Sequence, residues 1–189
     1  MNPDPDIKIE VDEGVYEPSE DTYLLLESVC VAKGERVLEV GTGSGIIALN
    51  CAKAGARVVA SDISEEAVAN AKSNSMKNGI GLDVRRSDLF GGLEGRFDAI
   101  IFNPPYLASD VGPEDARLSG GTSGSELSIR FLDEVGGVLN PGGRVYLLTS
   151  SLSSRDVIAR AKELYKVECV GSKDLFFERL EVHLLTDKD

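Results

Sequence analysis

The chain is poor in the residues that build metal and redox centres. It has one histidine, His183, and three cysteines, Cys30, Cys51 and Cys169, which are far apart and form no paired motif. That supply excludes a zinc cluster and a disulfide framework, so no metal is expected and the cysteines are expected as buried thiols. His183 sits in the strand-like run Leu180-Glu181-Val182-His183-Leu184-Leu185 and reads as structural. No apolar run approaches the roughly 20 residues of a membrane-spanning helix. Met1 to Asp6 carries acids and two prolines in place of the basic and apolar stretches of a secretory leader, so the chain is expected in the cytoplasm. Cations are also in deficit: 20 Lys and Arg against 32 Asp and Glu give a net charge of −12. Nucleic-acid affinity rests on cations neutralising phosphates, so this balance opposes a polyanion partner. The densest basic spot, Arg85-Arg86, reads as charge guarding an edge strand.

The 189 residues, 42% of them hydrophobic, suit one domain: a lead-in segment and helix over 1–35, then a sheet over 36–189. From Arg36 onward short β-branched runs alternate with helical patterns, which predicts a doubly wound α/β fold. Strands are expected at Arg36–Val40, Arg57–Ser61, Asp83–Arg86, Phe97–Phe102, Arg144–Thr149, Lys166–Gly171 and Leu180–Thr186. This makes a seven-stranded, mostly parallel sheet with an antiparallel C-terminal strand and helices on both faces. Helices are expected over Glu20 to Cys30, Ile46–Lys53, Glu65–Asn78, Glu126–Leu139 and Arg155–Tyr165, with Ser64 and Ser125 as N-caps and Gly79 as a stop. The Gly- and Ser-rich stretch from Ala108 to Gly124 reads as a substrate-side lid.

Glu39-Val40-Gly41-Thr42-Gly43-Ser44-Gly45 joins the first strand to the next helix, where glycines let a ligand approach the backbone. A dinucleotide fingerprint wants Gly or Ala at position 46, where this chain has Ile46. Glu39 beside the loop repels a pyrophosphate and suits a cation, so S-adenosylmethionine fits the loop better. Asp62 ends the second strand about twenty residues on, where an acid holds ribose hydroxyls. Asp88, after the third strand, is placed to accept from an adenine amine, with Leu89 or Ile63 packing on the ring. Singly, Asp62 and Asp88 could be helix caps or loop acids. With Glu39 and Asn103 they stand at the carboxyl ends of four successive strands, where open α/β sheets bind ligands.

After the fourth strand comes Asn103-Pro104-Pro105-Tyr106. Proline stiffens this segment and has no N–H, so its carbonyls stay free to accept from a planar NH2 group. Read alone, it is also a turn that caps a buried strand.

Together these features resemble the class I S-adenosylmethionine-dependent methyltransferases, whose sheet is Rossmann-like. The upstream segment Val15-Tyr16-Glu17-Pro18-Ser19-Glu20-Asp21-Thr22-Tyr23-Leu24-Leu25-Leu26 resembles the HemK-like release-factor glutamine methyltransferases, in the short archaeal and eukaryotic branch. Read alone, Pro18-Ser19-Glu20-Asp21 is a helix start with first-turn acids. The resemblance implies methylation of the glutamine amide in a Gly-Gly-Gln motif of a translation termination factor. It implies cofactor contacts at Thr22, Glu39, Gly41, Gly43, Asp62, Ile63, Asp88, Leu89 and Asn103, and a glutamine site at Asn103, Pro104, Pro105 and Tyr106. It also implies a small zinc-binding activator protein as a heterodimer partner. Other acceptors stay open: an adenine or guanine exocyclic amine, or a lysine. A non-catalytic adenosyl-ligand sensor would have no need of the Asn-Pro-Pro-Tyr segment.

Overall fold

The computed structural model describes residues 1–105, 125–152 and 154–188. In chain order these form α1 (Glu20–Ser28), β1 (Arg36–Val40), α2 (Ile46–Lys53), β2 (Arg57–Asp62), α3 (Glu65–Asn78), β3 (Asp83–Arg86) and β4 (Phe97–Phe102). After them come α4 (Glu126–Val135), β5 (Leu139–Ser150), α5 (Ser154–Leu164), β6 (Lys166–Asp174) and β7 (Arg179–Thr186). The seven strands form one sheet in the order β3-β2-β1-β4-β5-β7-β6. β1 to β5 run parallel, and β7 is antiparallel to both β5 and β6.

The central strands are apolar on both sides because helices cover both. Leu25, Leu26, Ile47 and Ala71 of α1 to α3 pack with Val37, Ala99 and Ile101 on one face. Phe131, Leu132 and Val157 of α4 and α5 pack with Leu38, Ile100 and Phe102 on the other, the Phe102 and Phe131 rings lying 4.5 Å apart. Helix ends follow their capping chemistry. Ser64 Oγ accepts from Ala67 N at 3.1 Å, Glu65 and Glu66 occupy the first turn, and Gly79 closes α3 at φ +63°.

Several expectations are corrected. Ser125 stands at the start of α4, but its side chain makes no capping hydrogen bond. α4 stops at Val135, short of Leu139, because Gly136-Gly137 follow and Leu139 already pairs with Phe97 as the start of β5. α1 stops at Ser28, since Val29 is extended. Only Cys51 is a buried thiol. Cys30 is exposed just past α1, and Cys169 is exposed on β6, an edge strand open to solvent along most of its length. His183 is buried against Thr149, its Nε2 lying 3.1 Å from the hydroxyl, and burial lowers its pKa, in keeping with a structural role. Arg85 and Arg86 sit on edge strand β3, paired with Asp83 and Glu65. The expected lid from Ala108 to Gly124 lies outside the described residues. Among those described, no helix is long and apolar enough to cross a membrane.

Asn70, Asn74 and Asn78 recur every fourth residue on α3 and form a ladder of side-chain amides along the extended N-terminal segment. Asn78 exchanges two hydrogen bonds with the Lys8 backbone, at 2.8 and 2.7 Å. Asn74 does the same with Glu10, at 3.1 and 2.8 Å, and also donates to Ser44 O in the glycine loop at 2.9 Å. The ladder thus ties the N-terminal segment, α3 and the loop together. Asn74 is fully buried, so Asn74→Ala is expected to cost about 2–3 kcal/mol. Urea unfolding measures the loss, and faster proteolysis before Gly14 reports the released segment.

Candidate active site

Parallel pairing sets the site. Val40 lies opposite Ser61 of β2 and Phe102 of β4, so Gly41, Asp62 and Asn103 emerge together at the carboxyl edge. A cavity of about 870 Å³ opens there, roofed by Gly14 to Pro18 and the start of α1. Its lining includes Thr22, Glu39, Gly41, Gly43, Asp62, Ile63, Asp88, Leu89, Asn103, Pro104 and Pro105. The structure therefore brings together every site residue expected from the sequence except Tyr106, which lies outside the described residues.

Gly41, Gly43 and Gly45 have φ of +67°, +53° and +83°. Gly45 also faces a steric limit, because an added Cβ would lie 3.2 Å from Ala71 Cβ where α2 crosses α3. The loop is braced by Asp62, whose carboxylate accepts from Gly43 N and Ser64 N, each at 3.0 Å. Leu89 has φ +48°, an uncommon conformation for a branched residue. The Ser87 hydroxyl holds that turn by donating to the Leu89 and Gly91 carbonyls at 2.9 and 2.8 Å. Asp88 is half-exposed and paired with Arg130.

Glu39 is buried, and its Oε2 accepts from Thr42 Oγ1 at 2.6 Å and Ala48 N at 2.9 Å. Burial pushes its pKa up to about 8, against the pull of those two donors. The cavity also holds Asp62 and Asp88, while Arg86, the one cation among its described lining residues, is paired with Glu65. This donor set suits a cationic ligand and disfavours a phosphate.

Asp21 and Tyr16 are functional candidates that sequence reading missed, since a first-turn acid carries no mark of a distant partner. Asp21 is 3% exposed and its carboxylate accepts from Asn103 Nδ2 at 3.1 Å. It also accepts from the Tyr16 hydroxyl at 3.0 Å, Thr22 N at 2.6 Å and Thr22 Oγ1 at 3.2 Å. Burial and the Asp21 charge push the Tyr16 phenol well above its ordinary range, so it remains a donor. A carboxylate only accepts, so Asp21 decides which end of the Asn103 amide turns toward it. The NH2 end does, and Asn103 Oδ1 is left buried with no partner among the described residues.

The model of the family described as methyltransferase small domain matches residues 7–176. A putative protein N5-glutamine methyltransferase of Methanocaldococcus jannaschii is 40% identical over 187 residues, covering 93% of each chain. This chain belongs to that family, in its HemK-like branch. The methyltransferase also resembles a release factor glutamine methyltransferase of Lactococcus lactis, at 34% identity over 90% of this chain and 69% of the relative. Among solved structures, the E. cuniculi Mtq2-Trm112 complex, described as methylating the eRF1 translation termination factor, superposes with a TM-score of 0.74. Its identity is 26% over 92% of this chain and 99% of the matched one.

Glu39 keeps its proton to about pH 8 in the folded enzyme and to about 4.5 when exposed. Between those values the folded state binds more protons, so stability falls as pH rises, by at most about 1.4 kcal/mol per unit from this group. Glu39→Gln is expected to flatten that slope, which urea midpoints measured from about pH 5 to about 8 will show.

Proposed function

We propose that the enzyme transfers a methyl group from S-adenosylmethionine to the side-chain amide of the glutamine in a Gly-Gly-Gln motif of a translation termination factor. One observation carries the reading: Asn103 Oδ1, in the wall of the cavity, is a buried acceptor without a donor. Such an atom costs about 1–3 kcal/mol unless satisfied, and a substrate NH2 group satisfies it. The names of the M. jannaschii and L. lactis relatives and the reaction ascribed to the E. cuniculi complex point to the same acceptor.

S-adenosylmethionine would supply an electrophilic methyl group on a sulfonium. The residues fit it. Glu39 would face its ammonium, Gly41 and Gly43 would let the loop backbone approach, and Thr22 would close the rim. Asp62, whose oxygens keep lone pairs beyond those given to Gly43 and Ser64, would hold the ribose hydroxyls. Asp88 would accept from the adenine amine, with Ile63 and Leu89 against the ring.

An amide nitrogen is a poor nucleophile because its lone pair is delocalised into its carbonyl. Asn103 Oδ1 and the Pro104 carbonyl would accept its two hydrogens and turn the lone pair toward the methyl carbon, with Tyr106 packing on the amide plane. As the new N–C bond forms, positive charge grows on nitrogen and the Asn103 hydrogen bond strengthens, so it contributes more to the transition state than to binding. Asp21 positions Asn103. No side chain need remove a proton before transfer, and placement carries most of the rate.

The Mtq2-Trm112 complex supports a small partner protein; that it is the zinc-binding activator implied by the resemblance, and that it docks on the open edge of β3, is proposed from that resemblance and from edge-strand chemistry. Val84→Pro, which disrupts that strand, is expected to abolish copurification.

Asn103→Ala is expected to lower kcat by about 100-fold or more while leaving cofactor affinity within about tenfold. Asp21→Asn, which lets the Asn103 amide turn end for end, is expected to lower kcat with little change in KM for the protein substrate. Labelled-methyl transfer to a termination factor and calorimetry with the cofactor measure both. Near-normal turnover by Asn103→Ala would sink the mechanism, and label entering structured nucleic acid alone would replace the substrate.

A further inference from the structure

The turn between β6 and β7 carries two phenylalanines that the fold does not use. Phe176 is 92% exposed and Phe177 85%, and their rings meet edge-on with centroids 4.6 Å apart. The turn needs no aromatic residue, for it is closed by Leu175 N donating to Glu178 O at 2.8 Å. Two phenyl rings side by side in water bury little of their apolar surface, and exposed aromatics of this kind mark recognition surfaces.

The hairpin is held in place. Leu180 of β7 lies opposite Ser150 at the end of β5, so the tip stands at the carboxyl edge that bears the cavity. Ser151 N donates to Arg179 O at 2.9 Å, Arg179 N donates to Ser151 Oγ at 3.0 Å, and the Ser150 hydroxyl donates to Glu178. Lys173, near the end of β6, pairs with Glu20 at the start of α1, one residue from the Asp21 that holds Asn103. Glu178 is also close enough to Tyr16 for its charge to act on that phenol. The aromatic pair is thus anchored beside the α1 end of the cavity.

We propose that Phe176 and Phe177 form the platform on which the main chain of the substrate polypeptide lies while its glutamine side chain reaches into the cavity. The inference rests on the protein-amide reading above and says where that substrate touches the enzyme outside the cavity. A target side chain fills only the cavity, so its flanking residues must cross the rim, and the hairpin reaches toward it through Glu178, whose charge acts on the cavity-lining Tyr16. The cavity lining itself carries Asp21, Asp62, Glu65, Glu66 and Asp88, in a chain of net charge −12, so the flanking residues that fit are apolar and basic. β3 lies at the opposite edge of the sheet from β6, so a partner docked on β3 leaves the hairpin clear.

The test compares the full chain with the Phe176→Ser/Phe177→Ser variant, both with activator, cofactor and a termination factor. Both side chains are exposed, so the unfolding midpoint is expected to hold. KM for the factor should rise by at least about tenfold, while kcat and cofactor affinity stay within about twofold, and Phe176→Tyr/Phe177→Tyr should restore KM. A photo-crosslinking residue at position 176 should capture residues flanking the methylated glutamine. Unchanged KM, or capture of a different part of the factor, overturns the platform while wild-type methylation leaves the functional reading standing. So does a loss traced to weaker activator binding, or to a wild-type dimer that the substitution dissolves. A wild-type enzyme that leaves the factor unmethylated overturns the functional reading and the platform with it.

Discussion

The parallel pairing of β1 with β2 and β4 is the constraint on which the site depends. Backbone hydrogen bonds fix Val40 beside both Ser61 and Phe102. A parallel ladder with this register can only deliver Gly41, Asp62 and Asn103 to the same edge, whatever their side chains. A slip of one residue in either neighbour would bury a polar group in the core and empty the site in one step. Stability and ligand geometry therefore rest on the same set of hydrogen bonds.

Two buried carboxylates on this edge are treated in opposite ways. Asp21 accepts from the Tyr16 hydroxyl, Thr22 N, Thr22 Oγ1 and Asn103 Nδ2, so its oxygens are satisfied within the protein. Glu39 has two donors, both on Oε2, and burial dominates. A positive ligand beside it would favour its ionised form and recover the electrostatic cost of burying it.

Much of this was legible in the sequence. β1, α2, α3, β3 and β4 have the bounds that periodicity and capping predict, because each is built from local signals. The convergence of Glu39, Gly41, Asp62 and Asn103 on one cavity was legible too, since strand ends in a parallel sheet share an edge. Long-range side-chain pairing was not. Asp21 meets Asn103 across 82 residues, and nothing near either position announces it. The asparagine ladder on α3 had a visible signal in a spacing of four, yet its partner is an extended segment without periodicity. The exposure of Cys169 depends on β6 being an edge strand, which is a property of sheet order and not of local pattern.

The order of the sheet also separates the tasks. Pairing stops at β3 and at β6, and an unpaired edge or an aromatic hairpin tip can each recruit a polypeptide. Between them lie the strands whose ends carry Asp62, Gly41 and Asn103. A partner at one edge and a substrate at the other can act at once without competing for surface. The α1 segment beside the second edge also supplies Asp21, so the carboxylate that holds the Asn103 amide sits on the element to which the hairpin is pinned by Lys173 and Glu20.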